Sequence, residues 1–408
     1  MQALPTPRCG PDAAGAWIDD HLADLASDEA PPSPNFRGGQ PAADAALAAY
    51  DVGGYAATRN EVWPPARRGA SRLSPYIRHG LLPLPRVWDA VEAGPAADVR
   101  KFRDELLWQE YARHLYARLG YRLRRPLRAT PAVEPGSAAA IAVWPRDMEC
   151  IRTTVDELEA DGWITNQTRM WLASQWSVRA GAAWQAGEAE LFRHLLDGSA
   201  AANLLGWQWT VGAASSKPYG FSRWQVEKRA PGLCQRCKLG DACPIQGWPS
   251  PRRAAAVSTP RALKSDSDLK ATRGPRTATV AGEPEIVWLT AESLGDADPA
   301  LAAHPDLPVA FVFDAARLQR WRLSRKRLAF LVETLAEFGV RRDLRVYRGD
   351  PTEVLGGQRL AATFTPVPGW RMLREKLTVV AIHPWPWLRW PHAGSLQSYS
   401  AWRKQLKA

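Results

Sequence analysis

Gly162-Trp163-Ile164-Thr165-Asn166-Gln167-Thr168-Arg169-Met170 and, further on, Leu195-Leu196-Asp197-Gly198-Ser199-Ala200-Ala201-Ala202-Asn203-Leu204-Leu205-Gly206-Trp207-Gln208-Trp209 bracket an apolar run that carries Trp171, Trp176 and Trp184. Soluble cores are ordinarily filled with Leu, Ile, Val and Phe, and a buried indole needs a hydrogen-bond partner as well as volume. Clustered tryptophans point instead to a planar aromatic ligand, or to electron movement. On a helix, Asn166, Arg169 and Met170 share a face, while Asp197 and Asn203 come from a second element. Arg with Asp makes a charge-assisted pair and Asn both donates and accepts. Such groups suit the polar edge of a heteroaromatic ring. A Trp-rich helical core with one solvated arginine accounts for the same residues equally well on chemistry alone.

The chain has 408 residues, enough for two or three domains with sizeable cores. A net charge of +11 favours an acidic partner, with nucleic acid foremost. Five cysteines in this length do not describe a disulfide scaffold. No signal peptide and no apolar run of membrane-spanning length is evident, so the expectation is a soluble cytoplasmic monomer.

Residues 1–35 read as an N-terminal extension, followed by Phe36-Arg37-Gly38-Gly39. From Gln40 the pattern is helical, and residues 36–250 form a mainly α domain. Inside it, Ser71 and Ser74 stand ahead of a helical segment, where hydroxyls cap the helix or meet a phosphate. Glu105 and Trp108, three apart, share a helical face. Arg113, Arg118, Arg122, Arg124, Arg125 and Arg128 follow as a basic segment, a solvated face in general and a row of phosphate contacts beside a nucleic-acid site. Cys234-Gln235-Arg236-Cys237 with Cys243 has metal-ligand spacing, and Cys150 is available as a fourth thiolate. Residues 251–283 form a basic linker without apolar periodicity. After it, the apolar runs Glu285–Leu289, Val309–Phe313 and Leu377–Ile382 alternate with helical segments, predicting a smaller α/β domain with a parallel sheet over 284–408. Its clearest helix starts at an N-cap, Ser324, and stops at Gly339.

Gly-Trp-x-x-Asn-x-x-Arg-Met (162–170) followed by Asp-Gly-x-x-Ala-x-Asn-x-x-Gly-Trp-Gln-Trp (197–209) resembles the flavin-binding core of the photolyase/cryptochrome family. The resemblance implies bound FAD, contacted by Tyr55, Ser71, the Leu73 backbone, Ser74, Phe102, Trp163, Asn166, Arg169, Asp197, Ser199 and Asn203. It implies a cavity for an extruded pyrimidine dimer formed by Glu105, Trp108, Asn166, Met170 and Trp209, with Trp207 and Trp184 relaying electrons to the flavin. Asn166 and Met170 match the dimer-repairing members rather than those acting on (6-4) photoproducts. The sequence departs from the pattern at Ala70 (usually Thr), Gln109 (usually Arg) and Ser199 (usually Asp). Cys150, Cys234, Cys237 and Cys243 resemble the set of the family's iron–sulfur branch, which ranks a 4Fe-4S cluster ahead of zinc and of free thiols.

The α/β part resembles the family's Rossmann-like antenna domain, which ordinarily precedes the helical one, so the chain reads as circularly permuted. The basic stretch usual after its first strand is replaced by Thr290-Ala291-Glu292, and whether an antenna chromophore binds is left open. The function implied is light-driven repair of cyclobutane pyrimidine dimers in DNA. A blue-light receptor without repair activity and a flavin-free, zinc-containing DNA-binding protein are the alternatives.

Overall fold

In a computed structural model that describes residues 2–10, 12–131, 143–249 and 255–406, helices dominate up to Arg229 and a mostly parallel sheet follows. The helices that matter here are α1 (Ala13–His21), α2 (Ala96–Leu119), α3 (Glu149–Asp161), α4 (Asn166–Ala173), α5 (Trp184–His194), α6 (Ala200–Thr210), α7 (Arg325–Arg341) and α8 (Tyr399–Gln405). The strands are β1 (Gln2–Leu4), β2 (Thr279–Val280), β3 (Ile286–Leu289), β4 (Val309–Asp314), β5 (Leu344–Gly349), β6 (Leu360–Thr363) and β7 (Val379–His383).

Local chemistry sets the helix ends. Thr165 Oγ1 accepts from the Thr168 N–H to start α4, Ser199 Oγ caps α6 through Ala202, and Ser324 Oγ caps α7 through Arg327. Gly162 ends α3 with φ +69°, a conformation that suits glycine. A Cβ at Gly162 would lie 2.8 Å from Leu196 Cγ, and its carbonyl accepts from the Leu196 N–H at 2.8 Å. Both halves of the Trp-rich stretch therefore meet at this turn. Gly339, expected to stop α7, does not: the helix runs on to Arg341. The missing side chain instead lets Thr6 approach, since a Cβ there would sit 2.7 Å from Thr6 Cγ2.

The sheet order is β1-β5-β4-β3-β6-β7-β2, with β3 to β7 mutually parallel. Central β3 and β4 are buried on both faces, which explains their continuous apolar runs. The helical part followed by a parallel α/β part is thus the arrangement along the chain. Strand β6 is an addition to the sequence expectation.

Two stretches differ from their sequence reading. Residues 1–35, read as an N-terminal extension, pack onto the α/β part: β1 pairs antiparallel with β5 (Leu4 against Val346), α1 packs on α7, and Trp17 meets Phe313 at 5.7 Å. The basic linker holds two short helices, Arg261–Lys264 and Leu269–Arg273, and edge strand β2. Its residues 251–254 lie outside the described residues.

The two halves are joined through buried arginines. Arg327 of α7 donates to the carbonyls of Phe192 and Gly198 (the latter 2.6 Å), and Arg78 Nε donates to the same Gly198 oxygen at 3.0 Å. Arg78 also pairs with Glu292 at 2.7 Å, in the loop after β3. Arg327→Met keeps much of the volume but removes the donors. It is expected to lower the unfolding free energy by about 2 kcal/mol, the order of a buried acceptor left without its partner. An unchanged urea midpoint would show the contact to be dispensable.

Candidate functional site

The turn that precedes α6 carries Asp197, whose side chain is buried. Arg169 of α4 reaches across, its Nη2 2.7 Å from Asp197 Oδ2, while Nε and Nη2 also donate to the Ile164 carbonyl at 3.2 Å. Asp197 Oδ1 is buried without a partner. An ionised carboxylate with one oxygen satisfied and one open is costly unless a donor from outside fills the position. Asn203 is buried one turn into α6 and donates to Glu188 Oε1 at 2.8 Å. Burial raises the Glu188 carboxyl above its ordinary value, partly offset by Asn203.

Ser74 Oγ accepts from the Trp163 indole at 3.0 Å, so the serine-rich segment and the Gly-Trp turn are in contact. Leu73 is fully buried, and Ser71 makes only a 3.4 Å contact with the Leu73 N–H. Arg72 (φ +60°) lies over the Phe36 and Trp163 rings at 4.7 and 5.5 Å. Tyr55 packs edge-on to Phe102 at 5.0 Å. On α2, the next turn carries Glu105, whose Oε1 receives Lys101 at 2.7 Å and Arg59 at 3.4 Å. Trp108 is 38% exposed and Trp209 43%, whereas Asn166 is exposed at the first turn of α4 and Met170 half-buried one turn on.

The buried indoles form a connected set. Trp207 and Trp176 flank Gly187, where a Cβ would lie 2.4 Å from Trp207 Cη2 and 2.8 Å from Trp176 Cδ1. Trp176 meets Trp144 edge-on at 5.0 Å. Trp184 is buried at the start of α5 but stacks on no ring among the described residues. Trp171 instead stacks on Phe221 at 5.8 Å.

Cys150, Cys234, Cys237 and Cys243 all line one cavity of about 320 Å³, mouth included, with Met148, Val226, Leu233 and Ile245. Burial, then the neighbouring cysteines, pushes the Cys150 thiol up to about 12, and burial brings Cys234 to about 11. The Glu149 N–H points at Cys237 Sγ at 3.5 Å. As the side chains stand, no group of three or more His, Cys, Asp or Glu among the described residues is arranged to hold a metal ion. Four sulfurs nevertheless line one cavity, with a backbone N–H toward one of them. Cys9 is exposed and apart.

Residues 102–228 match the FAD binding domain of DNA photolyase. Over that stretch the chain resembles the photolyase/cryptochrome family. It is 36% identical over 162 residues to a deoxyribodipyrimidine photo-lyase of Thermus thermophilus, covering 37% of each protein. Against the deoxyribodipyrimidine photo-lyase of a Synechococcus strain it is 28% identical over 160 residues, 36% of this chain and 33% of the relative. The chain thus spans well under half the length of these relatives. A solved class III photolyase from Agrobacterium tumefaciens is similar at 22% identity and TM-score 0.42, over 54% of this chain and 46% of that one.

Part of the basic segment departs from its sequence reading. Arg113 lies over the Trp385 ring at 4.6 Å, and burial depresses its pKa. Arg118 pairs with Asp266 at 3.3 Å and donates to the Gly394 carbonyl at 2.7 Å. Both project from α2 into neighbouring chain and are not surface groups for phosphate. Arg122, Arg124, Arg125 and Arg128 are exposed. The sequence reading did not single out His79, Glu188, Arg327 or Tyr399. The contacts of His79, Arg327 and Tyr399 are with residues distant in sequence.

His79 is wedged behind the Asp197 turn, with Nδ1 2.9 Å from the Ala291 carbonyl and Nε2 3.2 Å from that of Leu196. Burial first, then Arg78 and Arg327, lowers its pKa from 6.5 to about 3, against the pull of the two carbonyls. The folded protein therefore holds it neutral, and below pH 6.5 the unfolded chain takes up a proton that the folded one refuses. Its contribution to stability is complete above pH 6.5 and is lost as the pH falls toward 3. Asp298, raised by burial to about 6, acts in the opposite sense, so the parent must be compared with a variant. Denaturation of parent and His79→Gln between pH 7 and 4 is expected to show stability rising with pH more in the parent, the slope more positive by up to about 1.4 kcal/mol per pH unit. Equal slopes would refute the neutral buried imidazole.

Proposed function

We propose that this chain repairs cyclobutane pyrimidine dimers in DNA under light, with FAD as its cofactor. The observation that carries this reading is the Arg169–Asp197 pair with its open buried oxygen, inside the residues that match the photolyase FAD domain. A flavin ring offers polar edge atoms for such an oxygen, and the donor set fits it. Arg169, Asp197, Asn203 and Ser199 would hold the ring edge. Ser71, Ser74 and the Leu73 backbone would meet the diphosphate, and Tyr55, Phe102 and Trp163 would pack around it. FAD, when bound and reduced, supplies the photoexcited electron that opens the dimer.

The chain's own residues bind and orient. Trp108, Met170 and Trp209 would stack on the extruded bases, and Asn166 and Glu105 would hydrogen-bond to them. Lys101 and Arg59 hold Glu105 in place as an acceptor. Arg122, Arg124, Arg125 and Arg128 would track phosphates without reading sequence. Trp207 leads the buried indoles, with Trp184 expected as the middle relay and Trp176 next to Trp207 in space. The four cysteines would hold a 4Fe-4S cluster, each sulfur deprotonated by the iron it binds. The α/β part is proposed as an antenna-type domain in permuted order. β1 on its sheet supports this, because chain on the near side of the helical part completes a sheet on the far side.

Illumination of the purified protein with dimer-containing DNA should restore intact pyrimidines. A flavin-containing protein that changes under blue light yet leaves dimers intact would favour the photoreceptor alternative. Glu105→Ala is expected to lower repair at subsaturating DNA about tenfold, the cost of one lost hydrogen bond to a bound base, and undiminished repair would exclude that role. Metal analysis should find iron in the parent protein and lose it in Cys237→Ser. Zinc in the parent, or iron retained in the variant, would overturn the cluster assignment.

A further inference from the structure

We infer that Tyr399 is a positioning residue for Trp108, so that a helix far along the chain fixes the stacking surface of the proposed dimer cavity. This rests on the reading of Trp108 as a base-stacking residue. The Tyr399 ring lies on the Trp108 ring at 3.9 Å between centroids and 9° between planes. Parallel stacking at that distance covers one face of the indole, and Trp108 is still 38% exposed. The hydroxyl of Tyr399 donates to Asp104 Oδ1 at 2.7 Å, and Arg403, one turn on, meets the same carboxylate and lies 3.1 Å from the hydroxyl. Asp104 belongs to α2, four residues before Trp108, so the ring is tied to the helix that carries the indole.

The rest of the segment is strapped down as firmly. Trp402 is fully buried with its indole donating to His114 Nδ1 at 3.0 Å, Tyr111 donates to the Leu396 carbonyl at 2.8 Å, and Ser398 caps α8. A solvent-facing indole would otherwise sample several rotamers, and ordering it on binding costs free energy. Tyr399 removes that cost in advance and leaves the other face of the indole for a base.

The test compares parent, Tyr399→Phe, Tyr399→Leu and Arg403→Met for binding to dimer-containing and undamaged DNA, and for repair rate at saturating DNA. The stack alone predicts that Tyr399→Leu weakens binding to dimer DNA about tenfold with less than a twofold change in affinity for undamaged DNA and in the saturated repair rate. Tyr399→Phe, which keeps the ring, should stay within about threefold of the parent. Arg403 is partly exposed, and its replacement is compatible with folding even if Tyr399→Leu is not. Arg403→Met, which loosens the anchor, should weaken dimer binding about twofold to threefold. Unchanged dimer affinity in Tyr399→Leu, or equal losses on damaged and undamaged DNA, would overturn the inference, as would unchanged dimer affinity in Arg403→Met should Tyr399→Leu fail to fold. A parent protein with no preference for dimer DNA would instead overturn the proposed function, and the inference with it.

Discussion

One carbonyl oxygen, that of Gly198, receives guanidinium groups from both halves of the molecule. Arg78 and Arg327 are both buried, and a buried cation is tolerated only where acceptors surround it. Those acceptors are the carbonyls of Phe192, Gly198 and Ala291 with the carboxylate of Glu292. A Cβ at Gly198 would fall 2.4 Å from Arg327 Nη1, so a side chain there would displace the guanidinium. The turn that carries Asp197 is therefore held from behind by fixed positive charge, and its carboxylate faces Arg169 in front. Burial first, and then Arg78, brings Arg327 down to about 9, and burial with the two arginines keeps His79 neutral. On the proposed reading, this turn offers an electron-rich ring a mount that does not have to move.

Topology ties the halves further. The sheet takes β1 from residues 2–4 and the rest from residues 279–383, so the helical part lies within the chain between two portions of one sheet. Beyond β7 the chain returns to α2. Arg389 N–H donates to Glu110, His114 faces the Arg389 carbonyl, and Trp402 closes on His114. Each half thus completes the other, and loss of packing in one is felt in the other. Glu110 is fully buried with one oxygen unpartnered. Such a group is held by the fold rather than stabilising it.

The sequence made local events legible and distant ones not. Ser324 shows as a cap because a hydroxyl three residues from an N–H acts within a turn. β3, β4 and β7 show because central parallel strands are apolar on both faces. Arg169 and Asp197 could be named because the family pattern carries them together. By contrast, β6 escapes the sequence reading although it is no shorter than β3, and β1 has three residues and takes its meaning from a partner more than 340 residues away. Arg113 and Arg118 resemble Arg122 and Arg124 in sequence. What separates them is that the first two lie on α2, beneath chain that arrives from residues 266 and 385–394, whereas the others follow its end.

Indole surface left open to water adds little to the stability of a fold. Trp171, Trp207 and Trp402 are buried to 2% exposure or less, so the fold has room to hide indoles. Trp108 and Trp209 are left out despite this. Trp209 leans on Tyr219 at 5.3 Å, and Tyr219 is held by Gln167 at 3.0 Å, on the same helix as Asn166 and Met170. Trp108 leans on Tyr399. In both cases a second aromatic backs the exposed ring and a polar contact fixes that second ring. Trp224 and Trp248 are more exposed still, at 57% and 54%, and no ring backs either among the described residues, so the backing sets Trp108 and Trp209 apart. On the proposed reading, the two backed indoles offer flat faces to unstacked bases.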